Sequence, residues 1–349
     1  MNRWPLFLVA LCGVIASCEN KDKRLIEFSF DTFLRQVELK AHVMGDNEIP
    51  LKGGTLLFID TTFVLTNAVS GSSYFHFFGY SDLTYKGSGG IIGQGPGEII
   101  NPFAAIPDAA GKGIWCMDRG RNELLYYPLD SLLADPSFLP EVHIPLPDVQ
   151  YIIVSYQTFN DSLFSFFSCD PDILVSFFDF CGRVREEMNI PDLIHEGYFD
   201  PRNPCKVTFL YSINPYGERI AVCDRFSDVL YIAGSKGELL KKLVGPGKIM
   251  ADITALDIES ESTFWGLKSD KKYIYGLYLG KSRVENKSGY YLPVFPRRLL
   301  IFDWDGNALF DILFEFSVSS FYPDYQKRRI VTFSPDHARL VVYEMPREL

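Results

Sequence analysis

Ile92-Gly93-Gln94-Gly95-Pro96-Gly97-Glu98, followed by Asn101-Pro102, is the stretch on which the reading of this chain turns. Glycines at alternate positions permit positive φ and a close approach of backbone, as a tight connection between packed sheets requires. A glycine-rich run can also cradle phosphate. Here no Lys-Ser/Thr follows the last glycine and no helical periodicity opens after it, so a phosphate loop is excluded. On both sides lie short apolar strands and polar turns: residues 74–80 (YFHFFGY) before the run, then 114–118 (IWCMD) and 124–129 (LLYYPL) after it. The run reads as the connection from one β-rich unit to the next.

The units repeat. An apolar strand, a short turn and a more polar strand appear at 74–86, 124–129, 173–185, 229–240, 299–309 and 340–343. These six copies are spaced by roughly 40 to 70 residues, the range expected of propeller blades. Just upstream of most copies lies a strand ending in an acidic turn: 114–118 (IWCMD) with Arg119, 220–224 (IAVCD) with Arg225, and looser versions at 163–170 (LFSFFSCD) and 330–336 (IVTFSPD). A preceding strand at 55–60, 151–156, 207–213 or 253–258 completes four per unit. The expected fold is all-β: a six-bladed β-propeller with four-stranded blades. The last copy has only three strands before Leu349. The N-terminal segment, through residues 25–30 or 37–43, is expected to supply the missing outer strand and close the ring.

The beginning of the chain reads as an export signal: Arg3, an apolar run over 5–16, then Ile15-Ala16-Ser17-Cys18. The run is too short to span a bilayer. Small residues before a cysteine resemble the lipobox of bacterial lipoproteins, which implies cleavage before Cys18 and its acylation. The expected layout is a signal peptide at 1–17, a tether at 18–24 and the propeller at 25–349, with a lipid anchor to the cell envelope, at the outer membrane. Removing residues 1–17 takes away Arg3 and moves the net charge from −10 to −11. With that balance and no Lys/Arg block, a nucleic-acid partner is not expected. Of the 7 cysteines, Cys116, Cys169, Cys181, Cys205 and Cys223 lie past Cys18 without metal-ligand spacing, and they read as buried free thiols, with a single disulfide left open.

The GxGPGE run, Asn101-Pro102, the strand 114–118 and Asn122 resemble the NHL-type repeat, and more closely the TolB-like six-bladed propeller lipoproteins of Bacteroidetes-type bacteria. Gly245-Pro246-Gly247 is similar to a degenerate second copy; Ile99 stands where an aromatic is usual. The resemblance implies a fold and an envelope location and brings no catalytic residues.

In a propeller the turns between second and third strands share one face with the blade-to-blade connections, around a mouth of the central channel. That face is expected to carry Asp118, Arg119, Asn122, Asp170, Asp224, Arg225 and Asp336, and to be covered by the insertion 280–298 with Tyr290, Tyr291 and Arg297. Such a rim suits a protein or a small polar ligand. The bland alternative is that the acidic residues only cap their own turns, and that most aromatic rings fill the core. Catalysis has little support: the five histidines are scattered and neither HExxH nor GxSxG occurs. The leading reading is a non-catalytic envelope lipoprotein that binds at the channel mouth without a cofactor. The alternatives are a calcium-dependent hydrolase or lactonase using Asp118, Asp170 and Asp224 as oxygen ligands, and a structural scaffold.

Overall fold

The computed structural model describes residues 24–43, 54–69, 71–146, 153–160, 163–168, 175–179, 181–189, 209–248 and 259–349. Three strands lead the chain: β1 (Leu25–Glu27), β2 (Arg35–Leu39) and β3 (Ala41–Val43). Six four-stranded sheets follow. Blade 1 is β4 (Leu56–Ile59), β5 (Thr62–Thr66), β6 (Ser73–Gly79) and β7 (Tyr85–Ile91). Blade 2 is β8 (Pro102–Pro107), β9 (Gly113–Asp118), β10 (Glu123–Pro128) and β11 (Val142–Pro145). Blade 3 is β12 (Ile153–Asn160), β13 (Leu163–Ser168), β14 (Val175–Asp179) and β15 (Val184–Met188). Blade 4 is β16 (Phe209–Ile213), β17 (Arg219–Asp224), β18 (Val229–Gly234) and β19 (Leu239–Val244). Blade 5 is β20 (Glu261–Ser269) and β21 (Tyr273–Ser282), then, after the small sheet of β22 (Val284–Lys287) and β23 (Tyr290–Pro293), β24 (Arg298–Asp303) and β25 (Ala308–Phe314). Blade 6 is β26 (Ser320–Asp324), β27 (Arg329–Ser334), β28 (Arg339–Glu344) and β3. The architecture is thus the six-bladed propeller expected from the repeat.

Closure follows the second of the two expected segments. Ala41–Val43 pairs antiparallel with β28, Val43 opposite Val341 and Ala41 opposite Tyr343. The strands before it are used differently. β1 runs parallel to β19 and β2 parallel to β25, so each becomes a fifth, outermost strand of its blade. The N-terminal segment is therefore a strap along the outer edges of three successive blades. Between β1 and β2, Phe28 and Phe33 sink into the seam of blades 4 and 5, their rings 5.2 and 5.3 Å from that of Phe302.

Two further departures follow from local chemistry. The first strand of blade 5 is Glu261–Ser269, not 253–258, which lies outside the described residues. Thr263, Gly266 and Lys268 made that stretch look polar, although it is the innermost strand of its blade. A short helix, α1 (Leu129–Ala134), sits between β10 and β11, with Leu129 and Leu132 buried. The cores lie between adjacent blades, where aromatic and branched side chains from facing sheets meet. Of the described cysteines, Cys116 and Cys223 are buried free thiols as expected, whereas Cys181 is free but exposed.

Candidate functional site

The run 92–98 is the connection between β7 and β8, and its geometry explains its residues. The Glu98 carboxylate folds back to accept the N–H of Gly95 at 2.7 Å. A Cβ on Gly93 would lie 2.1 Å from Glu98 Oε2, so only glycine leaves that space free. Gly97 adopts φ +76°, and a side chain there would also run into Leu139. Arg121 ties the loop to blade 2: its guanidinium donates to the carbonyl of Glu98 and, at 2.7 Å, to Asp118. Asp118, at the end of β9, also accepts the N–H groups of Ile100, Asn101 and Gly120. Burial alone would raise its pKa, but these donors outweigh burial and hold the carboxyl below its ordinary range. The second Gly-Pro-Gly turn repeats the device, with Gly247 donating to Asp228 at 2.7 Å.

Asp224, at the end of β17, is held by the N–H of Phe226 and the hydroxyl of Ser227. Burial dominates here and pushes its pKa up to about 6, against 3.8 for an ordinary aspartate. A carboxyl with a raised folded pKa binds its proton more tightly in the native state. Stability therefore falls as pH rises from about 4 to 6 and is flat above that window. Asp224→Asn is expected to abolish this fall, as melting temperature against pH would show; an unchanged profile would refute the assignment.

The other candidate residues are placed as follows. Arg119 is exposed and lies over the Phe103 ring, 3.5 Å from its centroid. Asn122 is exposed in a left-handed turn at φ +58°. Arg297 donates to the carbonyl of Phe314 and so stitches the end of the insertion to β25. Tyr290 and Tyr291 are exposed on β23. Asp170 lies outside the described residues. The oxygens of Asp118 and Asp224 are engaged in their own turns, and among the described residues no group of three or more His, Cys, Asp or Glu is placed to hold a metal.

Arg225 has a different setting. It lines a cavity of about 480 Å³ at the expected end of the channel, where the first strands of blades 1 and 6 begin. Trp265, Leu277 and Phe321 form apolar wall, and Phe295, from the insertion, packs edge-on against Trp265 with centroids 5.2 Å apart. Lys268 lies on the floor. Its ammonium donates to the carbonyls of Phe321 at 2.7 Å and Leu56 at 3.0 Å, so it bridges blades 6 and 1. Burial pushes its pKa down to about 8. Lys268 also borders a second cavity of about 470 Å³ at the opposite end, lined by Phe58, Tyr322, Tyr325, Ser212 and Asp270. It thus stands between the two halves of the channel.

Arg225 was legible because it follows the acidic end of a repeated strand. Lys268, Trp265 and Ser319 were not, since they lie on or beside innermost strands that break the apolar pattern. Arg121, two residues past the quoted Asp118-Arg119 pair, carries the contact to the glycine-rich loop. Its only sequence signal is a basic residue at the turn facing that loop.

The ring of four-stranded blades, with a cavity at each end of its channel, defines a β-propeller. The chain matches the TolB-like 6-blade propeller-like family over residues 56–324 and belongs to that family. Among solved structures, it is similar to a member of the duf4221 family from Bacteroides vulgatus (12% identity, TM-score 0.57, covering 87% of this chain and 95% of that one). It is also similar to a Bacteroides fragilis protein named as exported (12% identity, TM-score 0.51, covering 91% and 98%). The WD40 repeats of RRP9 share the shape as well (8% identity, TM-score 0.54, covering 88% and 97%). No curated protein sequence matches the chain.

Proposed function

We propose that this protein is a non-catalytic binding propeller of the bacterial cell envelope, held at the membrane through an acylated Cys18, which takes a small polar ligand at the mouth of its channel. The observation that carries the binding reading is the cavity beside Arg225, whose wall includes Phe295 from the insertion 280–298. Loops of this length inside a compact domain usually serve function, and here the chain spends it on a two-stranded sheet and one wall of a cavity. A volume of about 480 Å³ suits a small molecule. The envelope address is supported by the signal-like first residues and by a structural neighbour named as exported.

The test is a thermal-shift screen of small polar metabolites against the purified chain and against Trp265→Ala and Phe295→Ala variants. Compounds that stabilise the parent are expected to lose most of their effect in both variants. A screen with no stabilising compound, or with shifts indifferent to both substitutions, would overturn the site. For the anchor, Cys18→Ser is expected to move the protein from the membrane to the soluble fraction; retention in the membrane would overturn acylation.

A further inference from the structure

The two charged residues that line this cavity, Arg225 and Lys268, are both cations. Arg225 Nε is buried without a hydrogen-bond partner. Among the described residues its guanidinium makes no ion pair, because neighbouring Asp224 is taken up by Phe226 and Ser227. Burial, first, and then Arg283, which lies over the Phe226 ring at 5.4 Å, lower the pKa of Arg225 and outweigh the opposing effect of neighbouring Asp224. Lys268, on the same cavity, holds among the described residues two backbone carbonyls and the face of Phe321. Ser319 Oγ, a third lining group, is also buried and unpartnered.

A guanidinium nitrogen buried without an acceptor is costly, since its bond to water is lost and not replaced. Folded proteins seldom leave such groups together unless something else satisfies them. Three lining groups are therefore set to receive negative charge and hydrogen-bond acceptors. The rest of the wall is of another kind: Trp265, Phe295 and Phe321 offer ring faces and edges. An inorganic anion would use the donors and leave this wall bare.

We infer that the ligand of this site is an organic carboxylate with a ring body, its carboxylate received by Arg225 and Ser319 with Lys268 alongside, and its ring against Trp265 and Phe295. The inference rests on the channel-mouth reading above and adds the chemical class. A planar carboxylate matches the guanidinium fork in two parallel bonds. Sugar acids and aryl acids share this chemistry, and the experiment separates them.

Calorimetric titration of the purified chain would use glucuronate and 4-hydroxybenzoate, each beside its neutral counterpart, glucose and 4-hydroxybenzamide, with sodium sulfate as the ring-free anion. At least one carboxylate is expected to bind, with its neutral counterpart weaker by about 10- to 100-fold, the worth of a charged hydrogen bond. The member that binds names the source, sugar or aryl. Arg225→Gln is expected to weaken that carboxylate by a similar factor, Arg225→Lys by less, and Ser319→Ala by the least. Equal binding of a carboxylate and its neutral counterpart would overturn the inference while leaving the channel-mouth site standing. Sulfate binding as tightly as the carboxylates would overturn the ring body. No binding by any of the five would overturn the ligand class, and the metabolite screen with Trp265→Ala and Phe295→Ala would then decide the site separately. The comparison of carboxylate with neutral counterpart needs no variant, so it decides the matter even if Arg225→Gln does not fold.

Discussion

Arg329→Met is expected to lower the unfolding free energy by about 3–5 kcal/mol, the range for stripping one partner from a buried ion pair. Arg329 opens β27 and donates to Asp324, at the end of β26, at 2.8 Å; the two side chains are only 8% and 4% exposed. The same guanidinium donates to the carbonyl of Tyr80 in blade 1, and the Tyr80 hydroxyl donates to Asp324 at 3.0 Å. The pair is therefore the polar centre of the seam where the last blade meets the first. Around it the rings of Phe58, Phe63, Tyr80 and Tyr322 pack at 5.0–6.1 Å, which keeps water out. Removing the arginine leaves Asp324 with a hydroxyl and the N–H of Lys327 as donors but no counter-charge, and leaves the Tyr80 carbonyl without that donor. The double variant Arg329→Met with Asp324→Leu is expected to recover much of the loss, because no buried charge is then stranded. Lys248→Ala, which breaks the exposed contact to Glu27, is expected to cost under about 1 kcal/mol. Chemical denaturation of the four proteins checks this. A single variant no worse than Lys248→Ala would remove the seam from the account of stability.

The contrast between that seam and the channel explains how far the sequence could be read. Blade rhythm was legible because second and third strands are covered on both faces, so runs such as 229–233 and 299–302 are apolar from end to end. The glycine-rich connection was legible because Glu98 occupies the space a side chain at Gly93 would need. Innermost strands face a channel as well as two blades, and they carry Thr263, Gly266 and Lys268 among the apolar residues. Their pattern is weak for the reason that makes them functional, so Lys268 and Ser319 escaped notice. Repeated Asp-Arg steps look alike in sequence, yet Arg119 rests on a ring at the surface while Arg225 lines a cavity. What separates them is the neighbouring blade and the insertion beside it, which are contacts of long range.

The strap gives the other large effect. Phe28→Ala and Phe33→Ala are each expected to cost about 3–5 kcal/mol, as truncation of a buried ring does. Both rings lie against Phe302, at 5.2 and 5.3 Å, and against each other at 6.0 Å. Because they share that partner, the first truncation already loosens the pocket of the second, and the double variant is expected to lose less than the sum. Leu34, 73% exposed one residue beyond Phe33, sets the baseline: Leu34→Ala should be nearly silent. The two phenylalanines also act at a distance, through the chain itself. They fix the path from β1 to β2, and β2 runs within two residues of β3, whose short pairing completes blade 6. Once the rings are lost, three short edge strands hold the strap through their backbone bonds and the lesser side-chain contacts of Ile26, Phe30 and Leu39, and Arg35 and Lys40, already exposed, become available to trypsin. Limited proteolysis is therefore expected to cut both truncated variants within the strap at conditions that leave the parent and Leu34→Ala intact. Loss of thermal stability without that cleavage would mean that the rings fill a seam and nothing more; cleavage together with opening of blade 6 would show that the ring is closed from its N-terminal side by these two side chains.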